Sequence, residues 1–281
     1  MRTTTKQKIA FSILFLCTII VVLPVLFVLG VITKNGIKGI SWNFLTTMPF
    51  DGMRQGGIYP AIVGTLYLVS LSIVFSLPVG VMAAIYLNEY AKDNLLTRLI
   101  RLAIVNLAGV SSVVYGLFGL ALFVTFMKFG VSILSGALTL AIMNLPVIIT
   151  ASREALASVP YSFREVSLSL GLSRWQTIRH SVLPFAIPGI LTGAILSLAR
   201  AAGETAPILF TVAAFYLPHL PHSIFDQAMA LPYHLYIIST QIPGISTQTR
   251  YATAFVLVGI VFAMNIIAVV LRSRLRKKKK W

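Results

Sequence analysis

Residues 153–184 read REALASVPYSFREVSLSLGLSRWQTIRHSVLP, a polar and charged segment between two apolar stretches, TLAIMNLPVIIT before it and FAIPGILTGAILSLA after it. Each flank is long enough to belong to a membrane span, which needs about 20 residues of helix, so the segment is a loop between spans. Pro160 suits the first turn of a helix, where its missing N–H is not needed. Leu170 and Gly171 close that helix, because glycine readily takes the left-handed conformation beyond a helix end. Between them Phe163, Val166, Leu168 and Leu170 alternate with Ser162, Arg164, Glu165, Ser167 and Ser169. The pattern predicts a short two-sided helix at the membrane surface, which needs something to pack against.

Working outward, composition supports the same class. Of 281 residues 57% are hydrophobic and 11% charged, and mean hydropathy is +0.89; soluble chains carry about 25% charged residues. Six spans are expected, at about 9–32, 60–88, 101–126, 131–152, 184–204 and 251–271, in one transmembrane domain covering 1–281. The first apolar run, from Ile9 to Ile32, is too long for the apolar core of a secretory signal and lacks a small-residue cleavage site, so it reads as a retained span. Pro24, Pro78, Pro146 and Pro188 interrupt four spans, which membranes tolerate where neighbouring groups satisfy the freed carbonyls. The apolar piece 205–217 is short and follows Gly203; it reads as a second, partly inserted piece within an outer loop of 205–250. The lone cysteine, Cys17, has no internal disulfide partner.

The net charge of +16 has a topological explanation. With both termini in the cytoplasm, seventeen Lys and Arg residues fall on inner segments and five on outer ones, with Arg200 inside a span. That bias fixes the expected orientation and removes the need for nucleic acid. The basic tail RSRLRKKKKW reads as a topological anchor.

The stretch SLARAAGETAPILFTVAAFYLP (197–218) holds the candidate transport residues. Arg200 lies about 24 Å along a helix from Pro184, at 1.5 Å per residue, within a hydrocarbon core about 30 Å thick. An arginine there costs roughly 2.5–3.5 kcal/mol on insertion scales and needs a partner or a watery path. Glu204, one turn on, lies on the same face. A guanidinium fork matches tetrahedral oxyanions, and a nearby carboxylate weakens its grip enough for release. Gly203 and Pro207 break the helix after Arg200, and Thr205 is placed to cap a new one whose free N–H groups favour an anion. Gly189, Gly193, Ser197 and Ala201 form a small-residue stripe for close helix contact. The competing reading of Arg200 and Glu204 is a purely structural ion pair.

The loop resembles that of ABC importer permeases, whose pattern is E-A-A-x3-G-x9-I-x-L-P. Glu165, Gly171 and Leu183-Pro184 keep the frame, while Val166 and Ser167 replace the alanines and Ser181 the isoleucine. The resemblance implies an all-α, six-span MetI-like permease fold with a cytoplasmic coupling helix in the loop 153–183. Glu165, Leu170 and Gly171 would then contact a separate ATPase subunit. Arg200-Ala201-Ala202-Gly203-Glu204-Thr205, with FDQAMALPYHLYIISTQ (225–241), is similar to the permease subunits of phosphate importers, PstA type. That similarity implies a substrate path through Arg200, Gly203, Glu204 and Thr205. It also implies three partners: a PstC-type second permease, a PstB-type ATPase dimer and a PstS-type extracytoplasmic phosphate-binding protein. No lysine is followed by Ser or Thr, so there is no P-loop; the chain is expected to be no enzyme and to bind no cofactor.

Other constellations are weaker. His219-x-x-His222 lacks the further ligands of a zinc site and reads as outer loop. Asn106 and Asn144 are expected to bond across helices. Trp42, Trp175, Tyr59 and Tyr90 fall near span ends, as interfacial aromatics do. An importer of another oxyanion such as sulfate or molybdate, and an ion-coupled carrier using Glu204, remain open.

Overall fold

A computed structural model describes residues 2–217 and 219–277; Lys278 to Lys280 of the basic tail lie outside the described residues. Among the described residues five helices are long and apolar enough to cross a membrane, or six if one bent pair counts as a single span. In chain order they are α1 (Arg2–Gly36), α3 (Tyr59–Ile85), the bent pair α4 (Leu95–Ala108) and α5 (Ser112–Gly119), α6 (Ile133–Ala157), α9 (Leu183–Gly203) and α12 (Thr247–Lys277). A short helix α2 (Trp42–Thr46) and a two-residue hairpin, Pro49–Phe50 against Gln55–Gly56, lie between α1 and α3.

The centre of the bundle is α3, α6 and α9. A Cβ on Gly80 would stand 2.6 Å from Ile148 Cγ2, and one on Gly136 would meet Leu68, so α3 and α6 run alongside each other in the same direction. Gly189 faces Ala155 and Gly193 faces Ala151, with room for no side chain, so α9 runs antiparallel to α6. The small-residue stripe is thus a packing surface against a span of the same chain. Van der Waals contact and small residues drive such pairing in lipid. α1 packs on α12, and its side chains from Ile9 to Val28 stay largely exposed, as an apolar helix can where lipid is the solvent.

Three features depart from the sequence expectation. The span expected at 101–126 is a pair of helices bent by 103°. Gly109 and Val110 donate their N–H groups to Asn106 O and Leu107 O, closing α4 in a turn, and the Tyr115 hydroxyl donates to Leu107 O at 2.9 Å across the corner. The loop expected at 153–183 is shorter, because α6 continues to Ala157 and helix resumes at α8 (Arg174–Thr177), which runs through a π-helical turn, Ile178–Val182, into α9. The outer segment is folded. α10 (Ala206–Thr211) buries Pro207, Ile208 and Thr211, and α11 (Leu231–Thr240) buries Leu231 to His234. Leu231 N–H donates to Thr65 Oγ1 at 2.8 Å, anchoring α11 on α3.

Candidate functional site

The loop helix α7 (Ser162–Ser169) is reversed with respect to an ordinary surface helix. Tyr161, Val166, Leu168 and Leu170 point outward, 66%, 61%, 44% and 76% exposed, and Trp175 beside them is half-exposed. Its inward side carries Phe163 and the polar Arg164 and Ser167. Phe163 stacks against Phe185 of α9 at 4.8 Å between centroids. Ser167 Oγ donates to Phe163 O at 2.8 Å and lies 2.6 Å from Ser181 Oγ, so Ser181 is the donor into Ser167. These two serines are two of the three departures from the importer pattern, and they meet as one hydrogen-bonded pair.

α7 ends in a Schellman closure. Gly171 N–H donates to Leu168 O at 2.9 Å and Leu172 N–H to Ser167 O at 3.2 Å, with Gly171 at φ +81°. Such a closure needs glycine for its conformation; nothing stands within 4 Å of its would-be Cβ. Ser173 and Gln176 then form a reciprocal capping box that restarts helix at Arg174. Glu165 is exposed beside Val166. Glu165, Leu170 and Gly171 therefore share one outward surface, with unpartnered apolar side chains among the described residues.

Sequence reasoning missed the ion pair beneath this surface. Arg164 donates through Nη2 to Glu89 Oε1 at 2.7 Å and through Nε to Oε2 at 3.1 Å. It also donates to Val159 O at 2.9 Å and Leu156 O at 3.0 Å. Both side chains are nearly buried, 12% and 10% exposed. Glu89 sits in a π-helical turn, Tyr86–Tyr90, at the end of α3. No spacing rule connects residues 75 positions apart; the only signal is a carboxylate just beyond an apolar span.

At the other end of α9, Arg200 Nε donates to Glu204 Oε1 at 3.2 Å, with the two side chains 34% and 17% exposed. The helix stops at Gly203, Glu204 is extended (ψ 137°) and α10 begins at Ala206. Around Gly203 there is open space. α10 packs on α5, where Gly116 lies against Ala206 O and Pro207 Cα. The break between α9 and α10 thus lies one turn from the Arg200 guanidinium. Thr205 occupies the position before α10, but its side chain caps nothing: its backbone is helical (φ −114°, ψ −47°), not the extended shape a capping side chain needs.

The remaining candidates resolve simply. His219 and His222 stack with ring centroids 6.2 Å apart, and no group of three or more potential metal ligands occurs among the described residues. Asp226 instead accepts the backbone N–H groups of His222 and Ser223, each at 2.8 Å; these bonds hold its carboxyl below the usual range. Asn106 is exposed and bonds across no helix, while Asn144 is fully buried with its amide unpaired among the described residues. Trp42 and Trp175 are exposed.

A bundle of long apolar helices, with one bent pair and an exposed apolar helix on one face, has the architecture of a multi-span membrane protein. The family described as "Binding-protein-dependent transport system inner membrane component" matches residues 76–280, and the chain belongs to it: it is an ABC-type importer permease subunit, a multi-pass protein of the inner membrane. It is similar to "Probable ABC transporter permease protein YqgI" of Bacillus subtilis, 35% identical over 97% of each chain. It is also similar to "Phosphate transport system permease protein PstA 1" of Mycobacterium tuberculosis, 31% identical over all of this chain and 92% of that one. Among solved structures, a bacterial alginate ABC transporter in complex with its pentasaccharide-bound periplasmic protein shares the fold, with TM-score 0.66 and 17% identity over 97% of this chain and 96% of that one. So does the inward-facing MetNI methionine transporter, with TM-score 0.62 and 15% identity over 78% and 97%.

Proposed function

We propose that this chain is one permease subunit of an ATP-driven importer of inorganic phosphate. The observation that carries the reading is the Arg200–Glu204 pair at the break between α9 and α10. A forked guanidinium binds a tetrahedral oxyanion by paired charge-assisted hydrogen bonds, and the carboxylate on the same fork competes with the anion and lets it leave. Likeness to PstA-type permeases, 31% identical along the whole chain, supports phosphate over other oxyanions.

On this reading the face carrying α7 is cytoplasmic, as are both termini, and α7 docks its outward apolar residues and Glu165 into a separate ATPase dimer. A second permease completes the pathway, and an extracytoplasmic phosphate-binding protein delivers the anion to the folded outer segment 205–250. The chain itself hydrolyses no ATP and holds no cofactor.

The test is phosphate uptake normalised to assembled complex for Arg200→Gln, Glu204→Gln and the double variant. Arg200→Gln removes the charge and the terminal fork while keeping an N–H donor near the position of Nε, so uptake falls at least tenfold. The double variant removes both charges while keeping shape; it assembles and stays inactive. Uptake restored in the double variant would make the pair merely structural and contradict the proposal.

A further inference from the structure

α7 presents its apolar side chains outward, so little burial holds it to the bundle. What holds it, besides Phe163, is directional bonding at two points. At the first, Arg164 spends four hydrogen bonds on three elements: the end of α3 through Glu89, the end of α6 through Leu156 O, and the connection to α7 through Val159 O. Asn88 Nδ2 adds a bond to Glu89 Oε1 at 2.8 Å. At the second, Ser181 bonds Ser167 from the segment that runs into α9. Both anchoring residues stand in π-helical turns, Tyr86–Tyr90 and Ile178–Val182. Such a turn inserts one extra residue into a helix and is frequent at functional sites; here each carries a side chain that bonds α7.

A planar guanidinium with four of its five N–H donors engaged resists sliding and rotation in a way that apolar contact does not. We infer that Glu89, Arg164, Ser167 and Ser181 are positioning residues that yoke α7 to the inner ends of α3, α6 and α9. A displacement of α7 by its partner then moves three spans as one body. This rests on the docking role proposed for α7 and adds the route by which that motion reaches the pathway.

The experiment uses the assembled complex in proteoliposomes and reads phosphate taken up per ATP hydrolysed. Glu89→Gln and Arg164→Gln keep the ATPase subunit bound and hydrolysing, with the ratio lowered tenfold or more; Arg164→Lys, which keeps the charge and loses the fork, falls between them and wild type. A purely structural pair would lower abundance and leave the ratio unchanged, and an unchanged ratio in both variants overturns the inference. Where either Gln variant yields no complex, Arg164→Lys and Glu89→Asp are read on the same ratio. A second readout, in the same assembled complex, needs no substrate: spin labels at Ser169 and Lys92, exposed in this chain, give a narrow distance distribution in wild type that broadens in Glu89→Gln. An unchanged width also overturns the yoke. Failure of the docking role would appear elsewhere, as an ATPase subunit still bound and coupled when Val166 and Leu170 are both replaced by Asp.

Discussion

Ser167 and Ser181 leave the importer pattern separately in the sequence and touch in the fold, 2.6 Å apart. The pattern's alanine and isoleucine would meet there as an apolar contact; here a hydrogen bond takes its place. Removing one partner leaves a hydroxyl unpaired in a nearly buried place, which costs about 1–3 kcal/mol, whereas replacing both by apolar groups of fitting shape is close to neutral. Ser167→Ala is therefore expected to lower the thermal stability of the complex, and Ser167→Ala/Ser181→Ile to recover most of the loss. Melting curves of the purified complex check this; additive losses would mean the serines act independently.

At the scale of elements, α7 and α11 make opposite demands. α7 needs a sharp stop, supplied by Gly171 at φ +81° with open space around it. A residue with a Cβ pays about 1–2 kcal/mol for that conformation, and asparagine pays least among the others. Gly171→Glu should uncouple the ATPase while leaving the spans intact, Gly171→Ala should do so weakly, and Gly171→Asn should stay close to wild type in ATPase co-purification and uptake. α11 carries His234, 4% exposed, whose burial lowers its pKa to about 4. The folded protein keeps this imidazole neutral, so the unfolded segment binds the extra proton below about pH 6.5. Stability is then full above pH 6.5 and lost as pH falls toward 4, by about 1.4 kcal/mol per pH unit at most. Wild type should melt lower at pH 5.5 than at pH 7.5, and His234→Gln should lose that part of the difference. An identical pH dependence in the variant would contradict the assignment.

For the whole molecule, the sequence disclosed what repeats locally or is fixed by solvent: apolar length gave the spans, Gly171 the end of α7, and the spacing of Arg200 and Glu204 their contact. It did not disclose what depends on partners far along the chain. The Glu89–Arg164 pair spans 75 positions, and the corner at Gly109–Ser111 lies in an apolar run with no proline to mark it. Thr205 failed as a cap because the local backbone did not follow its side-chain preference. On the proposed function these features belong to one assembly, a permease pushed from the α7 face with an oxyanion path at the far end of α9. The most direct test is reconstitution of this chain with its second permease, ATPase and phosphate-binding protein in proteoliposomes. Phosphate accumulation should require every subunit and ATP on the α7 side, should survive collapse of the proton gradient, and should resist competition by sulfate. Uptake by this chain alone, or uptake abolished when the proton gradient collapses, would contradict the account.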